Sequence, residues 1–288
     1  HMFINGRIFD QFSSELGNFP EFSNYSIDEN VQVEGLAVTN KGFFGATFEE
    51  TDESMSLREW IIHGGMSGDE PEAIMSVRHF YDPLGIDEGQ SYLTDFPSGT
   101  SSANPEIHIL EWALEYNGEI NKGLSGNLGW SQRFSWKDGT ESLTLAMNTL
   151  DKQEQERLFS HAWRSLGECL HALGDMVCPV HVRNDGHPLG DGDPFEDGII
   201  KDNLIPSNPS QFWDQNLINS LKSKGSIRQL YHELADYTNK NFYTNQTIWG
   251  RSGIGQVKPV IRPNNPYPYP YLQENNAGWR YDANTYTF

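Results

Sequence analysis

The chain has 288 residues, enough for one substantial core, and its 36% hydrophobic and 12% aromatic content is that of a globular protein. No apolar run reaches the roughly eighteen residues that a membrane-spanning helix needs. Acidic residues number 40 against 20 basic ones, a formal charge of -20, which argues against a duplex-DNA binder that must displace counterions with Lys and Arg.

His1-Met2 reads as the remnant of an expression tag, and no signal peptide is visible behind it. Residues 1–54 mix Gly, Asn and Ser with short alternating stretches such as Val31-Gln32-Val33; they read as an irregular N-terminal segment, trimmed at its start. Ser56-Leu57-Arg58-Glu59 is a capping box that opens a helix ending near Gly64-Gly65. Asn104-Pro105 is a second helix start, followed by Ile107, Leu110, Trp112, Ala113 and Leu114. The strongest helix runs from about Asp151 to Val177, where Leu158, Phe159, Ala162, Leu166, Leu170, Leu173 and Val177 recur at helical spacing and predict the core face. Pro179 stops it. Cys169 and Cys178 would lie roughly 13 Å apart on one helix, too far for a disulfide, so buried free thiols are expected. A later helix covers Ser226 to Asn239, and Asn264 to Tyr271 reads as polyproline-like. The elements predict an all-α protein, mostly helical with long loops: a core over residues 55–245 and an extended Pro/Tyr/Asn-rich tail over 246–288.

Chemistry concentrates on Leu170 to His181. His171 and Asp175 are four apart and share one face of the helix, opposite the leucine stripe, together with Arg164, Glu168 and Ser160. That arrangement alone also describes a solvated face, with Arg164 and Glu168 as an exposed ion pair. His181 follows the proline, and His187, Asp191, Asp193 and Glu196 come soon after. Upstream lie Gly68-Asp69-Glu70-Pro71 and Arg78-His79-Phe80-Tyr81-Asp82-Pro83. Imidazoles and carboxylates without a thiol pattern point to zinc or a similar first-row ion.

Gly-Asp-Glu-Pro, His-Phe-Tyr-Asp-Pro and His-x-x-x-Asp-x-x-x-Pro-x-His together resemble the bacterial zinc-dependent phospholipase C family, which is related to the S1/P1-type nucleases. The likeness spans about Leu57 to Asp197. It implies a phospholipase C/P1 nuclease-like helical fold, two or three zinc ions, a phospholipid or other phosphodiester substrate, contact with a membrane surface, and a secreted or cell-envelope protein. Nucleic acid is a less favoured substrate at this charge. The resemblance assigns His79, His171 and Asp175 to one ion, with Asp175 bridging to a second. His181, His187 and Asp191 go to another, with Asp193 or Glu196 as alternatives to Asp191, and Asp69 acts as general base or orients the attacking water. It also implies an opening Trp and a histidine in the first helix. No Trp matches, and His1 is the one histidine before His63, so this third set is expected to be trimmed or absent, with His63 the next candidate to fill it.

Phe80, Tyr81 and Arg183 adjoin the motif and are candidates for substrate contact. His108 and His161 read as structural, His232 as a surface or partner residue, and Trp60, Trp112 and Trp163 as core. The sequence supports three functions: phospholipase C-type cleavage, single-strand nuclease activity, and a non-catalytic module that kept an incomplete site.

Overall fold

The computed structural model describes residues 1–18, 28, 30–41, 48–84, 91–93, 107–115, 132–183 and 215–242, with the backbone of 249–251 and 257–259. The fold is mixed α/β, not all-α, because two antiparallel two-stranded sheets accompany the helices. Two compact units are present: His1–His79 with Ser101–Asp175, and Phe80–Thr100 with Met176–Phe288.

In the first unit, α1 (Met2–Glu15) leads to β1 (Gln32–Asn40) and β2 (Glu49–Ser56). The described residues of the segment read as irregular thus form a helix and a pair of antiparallel strands. β2 runs Glu-Glu-Thr-Asp-Glu-Ser-Met-Ser and has no apolar alternation to announce a strand; its order comes from register with β1, Gln32 opposite Ser56 through Val38 opposite Glu50. Side chains from the helices beneath fix β1 in place. Trp60 Nε1 donates to the Val33 carbonyl at 3.1 Å, and the Val38 N–H donates to His63 Nε2 at 3.0 Å. Arg164 Nη1 donates to the Leu36 carbonyl at 2.7 Å.

Helix α2 (Leu57–Ser67) opens with the capping box seen in the sequence: Ser56 accepts from the Glu59 N–H, and the Glu59 carboxylate takes the Ser56 N–H at 2.8 Å. The short α3 (Glu72–Met75) and α4 (Ile109–Leu114) follow, and His108, half-buried, precedes α4. The start signal at Asn104-Pro105 lies outside the described residues. Then come α5 (Trp136–Ala146) and the long α6 (Lys152–Asp175). Asp151 begins α6 by accepting from the Gln153 and Glu154 N–H groups. Trp60 and Trp112 are fully buried, and Ile109, Leu110 and Ala172 share that core.

The buried face of α6 is not the leucine stripe. Ser160, Arg164, Ser165, Gly167, Glu168, His171 and Asp175 are buried, whereas of the predicted face Ala162 is buried, Leu158, Phe159, Leu166, Leu170 and Leu173 are half-buried and Val177 is exposed. The physical reason is the crossing with α2. A Cβ on Gly167 would lie 2.3 Å from the Ile61 carbonyl oxygen, and one on Gly64 would lie 2.4 Å from that of Arg164. Two glycines let the backbones meet, so the small and polar face packs and the larger leucines stand off to the side.

Arg164 and Glu168 are consequently a buried pair, not the exposed one the spacing suggested. Arg164 Nε reaches Glu168 Oε1 at 3.0 Å and Ser67 Oγ at 3.1 Å, while Nη1 reaches Glu50 Oε1 at 2.7 Å. Its guanidinium lies 3.7 Å from the Phe134 ring centroid. Burial pushes the Glu168 carboxyl up against the pull of Arg164 and Ser67. At Glu50, burial also raises the carboxyl, but Arg164 and Arg133 overrule it and hold it low.

The second unit contains α7 (Gln215–Lys222), α8 (Ile227–Asn241) and the antiparallel pair of β3 (Trp249–Arg251) with β4 (Val257–Pro259). The rest of the predicted tail lies outside the described residues. No helix among the described residues is long and apolar enough to cross a membrane.

Candidate metal centre

Four segments of the first unit bring five donor side chains together. Helix α2 ends in a turn in which the Asp69 N–H donates to the Met66 carbonyl at 3.4 Å, and this turn presents Asp69. A single 3-10 turn, Ser76–Arg78, delivers His79, whose N–H closes on the Ser76 carbonyl at 3.0 Å. The last turn of α6 carries His171 and Asp175 on one face. His1 stands at the N-terminal end of α1, and the Asn5 N–H donates to its carbonyl at 2.9 Å.

Asp175 is the hub. Its Oδ1 lies 3.1 Å from His1 Nε2, and its Oδ2 lies 3.1 Å from His79 Nδ1 and 3.5 Å from His171 Nε2. Asp69 Oδ1 lies 3.1 Å from His79 Nδ1 and 3.4 Å from His171 Nε2. The His1 and His171 rings stack with centroids 3.7 Å apart. His171 Nδ1 donates to the Gly65 carbonyl at 3.0 Å, which leaves Nε2 as its ligating atom. Asp175 and His171 are each 1% exposed, and the Asp69 side chain is 39% exposed, so the cluster meets solvent chiefly through Asp69.

These residues can hold a metal ion: His1, His171 and Asp175 form one group, and Asp69, His79 and His171 another, with ligand atoms in each within 4.8 Å of one another. The charge balance fits a cation. A carboxylate as buried as Asp175 must be paired or bound to metal. In the metal-free chain that partner is a proton: burial works against charge on His79, but the Asp175 and Asp69 carboxylates beside it prevail and raise it to about 10. Burial likewise favours the neutral form of Asp69, and the His171 and His79 rings overrule it and hold the carboxyl well below its usual range.

His79, His171, Asp175 and Asp69, picked out in sequence from distant stretches, therefore meet in one place. His1, expected to be a tag remnant, lies against the same cluster. The available signal was helical spacing, since His1, Asn5 and Phe9 are four apart and Asn5 and Phe9 are both buried. His63 takes no part. Its Nε2 accepts the Val38 N–H, and burial, followed by the charge of Arg164, lowers it to about 4. His161 is structural, bonded to Ser142 at 3.0 Å and stacked on Phe134.

The remaining candidates belong to the second unit. His181 is buried against Phe80, with ring centroids 4.7 Å apart, and its carbonyl accepts the Tyr81 N–H. Tyr81 hydrogen-bonds through its hydroxyl to exposed His232 at 2.7 Å. Arg183 is buried and donates to the Asn239 carbonyl. His187, Asp191, Asp193 and Glu196 lie outside the described residues. Both cysteines are buried and free. No family model, curated protein or solved structure matches this chain.

Proposed function

We propose that the chain is a zinc-dependent phosphodiester hydrolase that cleaves a lipid phosphodiester in the manner of a phospholipase C. The observation that carries this reading is the Asp175 carboxylate, whose two oxygens face different imidazoles, His1 on one side and His79 with His171 on the other. A bridging carboxylate suits a pair of ions. His79 and His171 would serve one ion with Asp175 Oδ2, and His1 would serve the other with Oδ1. Nitrogen and oxygen donors without thiolate suit zinc or a similar first-row ion. Such ions, when bound, neutralise charge on phosphoryl oxygens and bring the pKa of bound water to about 7.

Asp69 would be the general base. It is the most open carboxylate of the cluster, it is held ionised by the two rings beside it, and it can accept a proton from an attacking water. A lipid substrate agrees with the net charge of -20, which repels polyanions, and with Met2 and Phe3, exposed by 46% and 55% directly after His1.

The test is release of phosphocholine from phosphatidylcholine micelles by the zinc-loaded chain, with single-stranded DNA as the competing substrate. Asp69→Asn should lower kcat by roughly 100-fold or more. Degradation of DNA with the lipid left intact would transfer the site to the nuclease class. Activity on neither substrate would sink the hydrolase reading.

A further inference from the structure

We infer that Asn5 is the positioning residue that seats His1 on the cluster, an inference that rests on the metal-centre reading for its purpose but not for its geometry. Asn5 is fully buried, and its Nδ2 donates twice: to the Ile61 carbonyl of α2 at 3.0 Å and to the Gly167 carbonyl of α6 at 2.9 Å. One amide therefore ties α1 to the crossing of the other two helices.

The spacing gives that tie its meaning. Asn5 is one turn after His1, Ile61 is one turn before Gly65, and Gly167 is one turn before His171. Gly65 in turn supplies the carbonyl that orients His171 through its Nδ1. So the three helices are locked together one turn away from His1, from the orienting carbonyl and from His171. The fit is close, since a Cβ on Gly65 would fall 2.7 Å from Asn5 Nδ2. An apolar residue at position 5 could fill the space but could not choose between the rotations of α1, whereas two directed hydrogen bonds fix the rotation that stacks His1 on His171.

The experiment uses the full chain as wild type, Asn5→Asp and Asn5→Ser. Asn5→Asp keeps the shape but turns an oxygen toward the two carbonyls. Asn5→Ser removes the double donor without adding charge, at the cost of two side-chain heavy atoms, and serves if the first variant fails to fold. Gly139→Ala is the control, because its Cβ would lie 2.6 Å from Ser165 Cβ at the crossing of α5 and α6 and so disturbs the same core elsewhere. In metal-free protein, the His1 ring signals are followed by NMR; the stack on His171 should displace them from free-histidine positions, and either Asn5 variant should return them. Zinc titration should then show the weaker of two uptake steps falling roughly 10- to 100-fold while the other stays within a few-fold. Gly139→Ala should do neither.

If the His1 signals stay displaced in the Asn5 variants, or are lost equally in Gly139→Ala, the assignment is overturned. Wild-type protein that takes up no zinc, but loses the His1 stack in the Asn5 variants, would leave Asn5 as the seat of His1 and overturn the hydrolase reading instead.

Discussion

Asp175 can face imidazoles from both sides because it lies on the last turn of α6, within reach of the start of α1 and of the turn that carries His79. Asp175→Asn should therefore weaken zinc uptake more than the roughly 100-fold upper end seen for outer partners, as measured by calorimetric titration. The raised pKa of His79 sets the pH dependence. A histidine raised from 6.5 to about 10 stabilises the metal-free fold fully below pH 6.5, and that contribution is lost as pH climbs through about 10. A bound cation takes the place of that proton, so zinc uptake should release protons and tighten as pH rises; affinities independent of pH between 6 and 8 would refute this. Arg164 makes a different kind of demand. Its replacement by Leu leaves Glu168 buried without its cation and Glu50 with Arg133 alone, and urea denaturation should show a loss of about 3–5 kcal/mol.

Among the elements, the crossing of α2 and α6 governs the site. Gly167→Ala places a methyl 2.3 Å from the Ile61 carbonyl oxygen and should cost about 1–3 kcal/mol by forcing the helices apart. The same displacement moves Asp69, which follows α2, away from His171, so zinc affinity should fall together with stability. Ser56→Ala, at the other end of α2, removes a cap worth about 1 kcal/mol and should leave zinc affinity unchanged. Thermal unfolding and zinc titration of the two variants separate the crossing from the cap.

For the whole molecule, one buried and one half-buried histidine make the fold acid-sensitive. Burial, followed by the charge of Arg164, lowers His63 and His161 to about 4. A lowered histidine stabilises fully above its unfolded value near 6.5, and that contribution is lost as pH falls toward 4, because the unfolded chain takes up protons that the folded one refuses. The loss should be on the order of 2–3 kcal/mol per ring, visible as a falling urea midpoint from pH 7 to pH 5. Zinc should act in the opposite sense, raising the melting temperature by an amount equivalent to about 2.7 kcal/mol at a hundredfold excess over Kd, with a chelator reversing it.

The sequence by itself determined the capped start of α2, the extent of the long helix and four of the five clustered side chains, because each depends on neighbours a turn away or on a motif of adjacent residues. It left open which face of α6 is buried. Leucines at helical spacing outweigh Gly167 and Arg164 on any hydropathy pattern, yet close backbone approach and a satisfied ion network put the polar face inside. The first strand pair was illegible for a similar reason, since the acidic β2 takes its order from pairing with β1 rather than from its own residues. His1 reaches the cluster through the docking of α1, whose Asn5 and Phe9 are buried. Local propensities are written in the sequence; contacts between residues more than a hundred positions apart, such as His1 with Asp175, are decided by tertiary packing alone.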